Sequence, residues 1–219
     1  MDKSEADRDW HRIGVYGGTF DPIHYGHLRT ALEVKEVLQL DQLRLVPSCR
    51  PPHRDSPAAN AGQRLQMLRL AIAEEPGLLA DARELERSGP SYMVDTLQSL
   101  HDEIEGCSLL LIIGSDAFRT LNGWYQWQQL FDLAHVLVMH RPGEVIYEAE
   151  LSPFFRQCFC ADREVLKKRR FGCLSFQAVT QLSISASQIR RILLEKRNPR
   201  FLLPDAVLHY IRTERLYSA

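Results

Sequence analysis

Two short, nearly all-apolar runs, LLLII (residues 109–113) and HVLVM (residues 135–139), constrain this chain more than any other feature. A strand with one wet face alternates polar and apolar residues. A run without alternation needs cover on both faces, as in a parallel sheet wrapped by helices. Gly114 ends the first run. The surrounding sequence alternates accordingly. Residues 12–16 (RIGVY) are strand-like, and from Tyr25 the pattern turns helical, with Leu28, Ala31, Leu32, Val34, Val37 and Leu38 in one broad stripe. Residues 43–46 predict a strand, 61–73 a helix, 78–85 a weaker strand and 92–104 a helix; 174–180 predict a last strand and 187–194 a helix. Pro204 and Asp205 open a terminal helix that runs to about Thr213. Strands alternating with helices imply a Rossmann-like α/β fold, a mostly parallel sheet flanked by helices. The expected layout is a loose tail over 1–11, then one domain over 12–219. Within it, a patternless insertion of short helices and loops lies at about 143–172.

The 219 residues suit one large domain. A hydrophobic share of 45% and a charged share of 25% are ordinary for globular chains. The 27 basic and 28 acidic residues leave a formal net charge of −1, so bulk charge draws the chain to neither nucleic acid nor membrane. The basic cluster Arg163, Lys167, Lys168, Arg169 and Arg170 reads as a solvated helix face. Cys49, Cys107, Cys158, Cys160 and Cys173 are odd in number and include no CxxC pair. Reduced, mostly structural thiols follow, rather than a disulfide framework or a zinc site. No apolar run approaches the roughly 20 residues of a membrane span, and the polar start MDKSEADRDW is not a signal peptide. A cytoplasmic protein is expected.

Ligands of open α/β sheets gather beyond the carboxyl ends of the strands. Glycine-rich or charged segments fall there four times: 17–27 (GGTFDPIHYGH), 47–54, 114–116 and 183–190. In the first, Gly17 and Gly18 let backbone amides approach an anion, while His24 and His27 project from one face of the first helical turn. Gly26 between them removes a side chain, and the helix start adds partial positive charge. ISASQIR offers a second anion site, because Ser185 and Gln188 have capping-box spacing and Arg190 adds a cation near that helix start. The 17–27 string is not the GxGxxG fingerprint, and no well-placed acid ends the second strand. Both observations disfavour a dehydrogenase.

GGTFDPIHYGH together with ISASQIR resembles the HxGH nucleotidyltransferases. Further segments, in order, make the chain similar to the bacterial nicotinate-nucleotide adenylyltransferases from Ile13 onward. They are VPSCRPPHR (46–54), GPSYMVDTL (89–97), IIGSDAF (112–118), GWYQW (123–127), HRPG (140–143) and the terminal LPDAVLHYI with LY. The resemblance implies adenylyl transfer from ATP to nicotinate mononucleotide, giving nicotinate adenine dinucleotide and pyrophosphate in NAD biosynthesis. The acceptor's phosphate would attack the α-phosphorus directly, without a covalent enzyme intermediate. His24, His27 and Arg190 are implied as catalytic, with ATP also held by Gly17, Gly18, Thr19, Phe20, Gly26, Gly114, Asp116, Ile184 and Ser185. The acceptor would meet Ser48, Arg54, Ser91, Tyr92, Met93, Asp116, Trp124 and Tyr125. An aromatic ring would stack on the pyridine, and helix-start amides near Met93 and Tyr125 would face its acid group. Mg2+ would arrive on the ATP phosphates, with no metal held by the protein alone; self-association into a homo-oligomer is also open.

Departures from the family's usual pattern are Met93 for threonine, Arg54 for a frequent lysine, Ser48-Cys49 where asparagine often stands, and Ala186 for serine. Other readings are an HxGH enzyme acting on phosphopantetheine or nicotinamide mononucleotide, a cytidylyltransferase, or a noncatalytic nucleotide-binding regulator. The presence of both histidines and Arg190 weighs against the last.

Overall fold

A computed structural model describes residues 10–49, 57–143 and 148–218. In chain order it contains β1 (His11–Gly18), α1 (Tyr25–Val37), β2 (Gln42–Pro47), α2 (Ala61–Ala71), β3 (Leu78–Ala80), α3 (Arg83–Glu86), α4 (Met93–Glu103) and β4 (Cys107–Gly114). There follow α5 (Ser115–Arg119), α6 (Leu130–Leu133), β5 (His135–His140), α7 (Pro153–Cys158), α8 (Glu164–Lys168), β6 (Leu174–Ala178), α9 (Ala186–Leu194) and α10 (Asp205–Thr213). Among the described residues the strands form one sheet in the order β3-β2-β1-β4-β5-β6, every neighbouring pair parallel. The order reverses between β1 and β4, which opens a crevice beyond their carboxyl ends.

The apolar runs divide between two cores by residue parity. Leu110, Ile112, Leu137 and Met139 face one core with Ala31 and Val34 of α1, Met67 and Leu68 of α2, and Val207, Leu208 and Ile211 of α10. Leu109, Leu111, Ile113, Val136 and Val138 face the other, with Val94, Leu97 and Leu100 of α4 and Phe131 of α6. A strand so enclosed has no wet face, which is why its sequence shows no alternation.

Several expectations shift. The weaker strand over 78–85 stops at Ala80, because the Asp81 carboxylate accepts from the Arg83 amide (3.1 Å) and turns the chain into α3. The last strand ends at Ala178 rather than 180. Val37 leaves the buried stripe and is 45% exposed. Trp10 is 6% exposed and His11 opens β1, so the loose tail of 1–11 ends before those two residues; 1–9 lie outside the described residues. Arg170 is not part of a solvated face. Its guanidinium lies over the Trp10 ring (5.4 Å) and donates to the Cys107 carbonyl (3.1 Å). Residues 148–172 run beside the edge strand β6, with Phe159 bridging to Leu174; Leu166 enters the first core and Leu151 the second, and Phe154 and Phe155 pack against Trp127 and Phe131.

Candidate active site

The β1–α1 connection sits at the crevice where strand order reverses. Gly18 must stay bare, since a Cβ there would lie 2.8 Å from the Phe20 ring. Phe20 itself holds φ 50, a left-handed backbone that a bulky side chain rarely adopts. The surroundings enforce it: the ring is 2% exposed and stands edge-on to both Tyr16 (5.9 Å) and His27 (5.2 Å). His24 is the N-cap of α1 yet makes no side-chain cap; instead its ring stacks on His27, centroids 3.8 Å apart and planes at 26°. A Cβ on Gly26 would meet the His24 ring at 3.0 Å, so the glycine makes room for the imidazole.

His24 is 5% exposed, and burial pushes its pKa down to about 4. It is therefore neutral near pH 7. Its Nδ1 is buried and has no hydrogen-bond partner among the described residues. A buried polar atom of this kind marks a place where a ligand group or water belongs. Beside His27, with ring centroids 6.4 Å apart, burial and then the Asp116 carboxylate push the Tyr16 hydroxyl up to about 12. Asp116, in the first turn of α5 after β4, thus reaches the same crevice.

The second anion segment lies alongside. Ser185 caps α9, its hydroxyl accepting from the Gln188 amide (3.2 Å), and the Ile184 carbonyl lies 3.5 Å from where a Gly26 Cβ would be. Arg190 reaches back to the first loop and donates to the Asp21 carbonyl (2.6 Å), with the Asp21 carboxylate 3.7 Å away. Its charge is thus balanced from within the protein.

The acceptor candidates split. Met93 begins α4 and its Cε would lie 2.9 Å from a Gly17 Cβ, so the methionine packs on the nucleotide loop. The Ser48 amide donates to the Gly18 carbonyl (2.9 Å). Tyr92 and Tyr125 stack on each other, centroids 4.3 Å apart, with Tyr125 51% exposed. Trp124 turns partly into the second core. The Ser91 hydroxyl accepts from the Cys49 amide (2.9 Å) and bonds the buried Glu84 carboxylate, so its own groups are already engaged. Arg54 lies outside the described residues.

Sequence reasoning missed three residues that hold this loop. The Asp21 carboxylate, 3% exposed, accepts from the amides of Ala58 (2.7 Å) and Ala59 (3.1 Å) and from the Tyr217 hydroxyl (2.5 Å). Arg64, 1% exposed, donates to the Thr19 carbonyl (2.8 Å). One signal was legible: Arg64 falls in phase with buried Met67 and Leu68 on α2, and a cation on an apolar stripe needs a partner.

Residues 15–192 match the family described as cytidylyltransferase-like. A protein of Methylococcus capsulatus named probable nicotinate-nucleotide adenylyltransferase is 49% identical over 208 residues, which span 94% of this chain and 99% of that protein. One of Halorhodospira halophila with the same name is 51% identical over 197 residues, 89% of this chain and 90% of that protein. Plasmodium falciparum nicotinic acid mononucleotide adenylyltransferase, solved in complex with NaAD, superposes with a TM-score of 0.70 at 19% identity, over 94% of this chain and 97% of that one. That likeness is one of fold.

Proposed function

The chain belongs to the cytidylyltransferase-like family, and from that membership and its close relatives we infer its reaction. It is a nicotinate-nucleotide adenylyltransferase: it transfers the adenylyl group of ATP to nicotinate mononucleotide, yielding nicotinate adenine dinucleotide and pyrophosphate in NAD biosynthesis.

The observation that carries our reading of the chemistry is the His24–His27 stack at the start of α1, with a buried Nδ1 of His24 unpartnered among the described residues. An oxygen of the acceptor's phosphate attacks the α-phosphorus of ATP; the bond to the bridging oxygen breaks and pyrophosphate leaves with the electron pair. No enzyme nucleophile is needed. Catalysis then consists of alignment and of donors aimed at the charge that develops. His24, neutral through burial, donates an N–H without carrying a fixed charge into the ground state. His27 beside it, the α1 amides and Arg190 complete the phosphate environment. The proximity of Gly17, Gly18, Gly26, Ile184 and Ser185 to one crevice supports their part in holding ATP.

Magnesium would enter with the nucleotide, held on its phosphates. The loop's own carboxylate, Asp21, already accepts three hydrogen bonds, and Mg2+ favours oxygen ligands while keeping several waters. On the acceptor side the stacked Tyr92–Tyr125 pair offers an aromatic face for the pyridine, and the open start of α4 at Met93 offers amides to its carboxylate. No helix among the described residues is long and apolar enough to cross a membrane, and we place the enzyme in the cytoplasm.

The test measures pyrophosphate release from ATP and Mg2+ with nicotinate mononucleotide, nicotinamide mononucleotide and phosphopantetheine in parallel. The nicotinate form should be preferred. Faster release with either alternative overturns the acceptor assignment.

A further inference from the structure

The nucleotide loop 19–22 is clamped from three distant parts of the chain. Arg64 of α2 holds the Thr19 carbonyl (2.8 Å), Arg190 of α9 holds the Asp21 carbonyl (2.6 Å), and Tyr217, beyond α10, donates its hydroxyl to the Asp21 carboxylate (2.5 Å). That carboxylate also gathers the amides of Ala58 and Ala59. Phe20 sits between the first two clamps with φ 50 and meets His27 edge-on at 5.2 Å. A left-handed bulky residue persists only where its surroundings over-determine it. The Asp21 hub supplies much of that determination, and its effect reaches His27 through the Phe20 ring. The same hub faces Arg190, whose guanidinium is 3.7 Å from the carboxylate.

Among the hub's partners Tyr217 differs in kind. It comes from the far end of the chain, 196 residues from Asp21, and packs against the first core beside Leu216. Its hydroxyl donates a hydrogen bond to the buried Asp21 carboxylate, with the charges of Arg190 and Arg64 nearby.

We propose that Tyr217 is a positioning residue of the nucleotide site: its hydroxyl fixes Asp21, and Asp21 fixes both the left-handed turn that seats His27 and the reach of Arg190. Tyr217 touches no substrate. It sets the geometry that receives the ATP phosphates and leaves the acceptor side, built on α4 and the 124–125 turn, untouched. The proposal rests on the reaction given above.

Tyr217→Phe keeps the ring and its packing and removes only the hydroxyl. In the full-length protein the KM for ATP should rise about five- to tenfold. The Kd for a non-hydrolysable ATP analogue should rise in parallel, while the KM for nicotinate mononucleotide stays within about twofold. Because Tyr217 acts through Asp21, adding Tyr217→Phe to Asp21→Asn should change the KM for ATP by less than about twofold beyond Asp21→Asn alone. Three results overturn the proposal: an unchanged KM for ATP, an equal rise in both KM values with a lowered melting temperature, or independent multiplication of the two substitutions. Wild-type protein that releases no pyrophosphate with nicotinate mononucleotide removes the reaction itself. Active wild-type with an unaltered Tyr217→Phe enzyme removes only this proposal.

Discussion

His24 and His135 lie at opposite ends of the same parallel sheet, and burial brings both pKa values down to about 4. Their surroundings differ in one respect. At the amino end of β5, both ring nitrogens of His135 are used: Nδ1 accepts from the Cys173 amide (3.1 Å) and Nε2 donates to the Arg169 carbonyl (3.0 Å), which fixes the neutral tautomer. Beyond the carboxyl end of β1, His24 is equally neutral but its buried Nδ1 has no partner among the described residues. A depressed pKa therefore does not separate a structural histidine from a functional one. Unmet hydrogen-bonding capacity in a crevice does.

Crossed substitutions test that distinction, and the largest effect belongs to the phosphate side. His27→Ala, which removes half of the imidazole stack, should lower kcat by about two to three orders of magnitude with the melting temperature nearly unchanged. Steady-state pyrophosphate release and circular dichroism on one preparation decide it; near-normal turnover excludes His27 from catalysis. His135→Ala should do the reverse. It strands the Cys173 amide and the Arg169 carbonyl and leaves a cavity, at a cost of about 2–4 kcal/mol in denaturant-derived stability. The kcat of the folded fraction should stay within about threefold, since the change lies far from the transferring group. A collapse of kcat would show that the amino end of the sheet contributes to the reaction.

The two ends were also unequally legible in the sequence. The LLLII and HVLVM strands declared themselves because enclosure on both faces forces continuous apolar residues, and strands alternating with helices pointed to a parallel sheet, while the strand order came only with the structure. His24 and His27 were legible because the loop that carries them is contiguous. The clamps on that loop were not: Arg64 acts across 45 residues and Tyr217 across 196, and no local period encodes such contacts. Arg64 at least betrayed itself as a cation on an apolar stripe. Asp21 stood inside the recognised segment without a role of its own, because nothing local shows that its carboxylate is buried. On the acceptor side, the pieces between Ser115 and Leu133 are helices of one turn or so, too short to display a 3.6-residue period. The false strand over 81–85 has a local cause, the Asp81 side chain capturing the Arg83 amide, which competes with extended backbone.

Gly26 sharpens the comparison further, because it separates ring placement from ring chemistry. Alanine is the better helix former by up to about 1 kcal/mol, a gain that displacement of the buried His24 ring offsets, so Gly26→Ala should change stability by less than about 1 kcal/mol in either direction. Its Cβ would meet the His24 ring at 3.0 Å, tighter than normal contact, and the ring must shift within its stack on His27. A displacement of this kind should reduce kcat by about tenfold while both histidines remain present. Wild-type turnover in this variant would mean that the imidazole has more latitude than the stacking implies.

The smallest effect is a titration. Because both histidines have folded pKa values of about 4, below the ordinary 6.5, their contributions to stability are complete above pH 6.5 and are lost as the pH falls toward 4. ATP should divide the pair. Phosphate negative charge near His24 favours its protonated form, so its pKa should rise by about one unit when a non-hydrolysable ATP analogue binds. His135, already satisfied and at the far end of the sheet, should stay at about 4. By linkage the analogue should then bind more tightly as the pH drops through the range between the free and bound pKa values of His24. Imidazole nitrogen shifts followed by NMR, with and without the analogue, report each ring separately. Equal movement of both rings, or of neither, would break the assignment of His24 as the histidine that awaits a ligand.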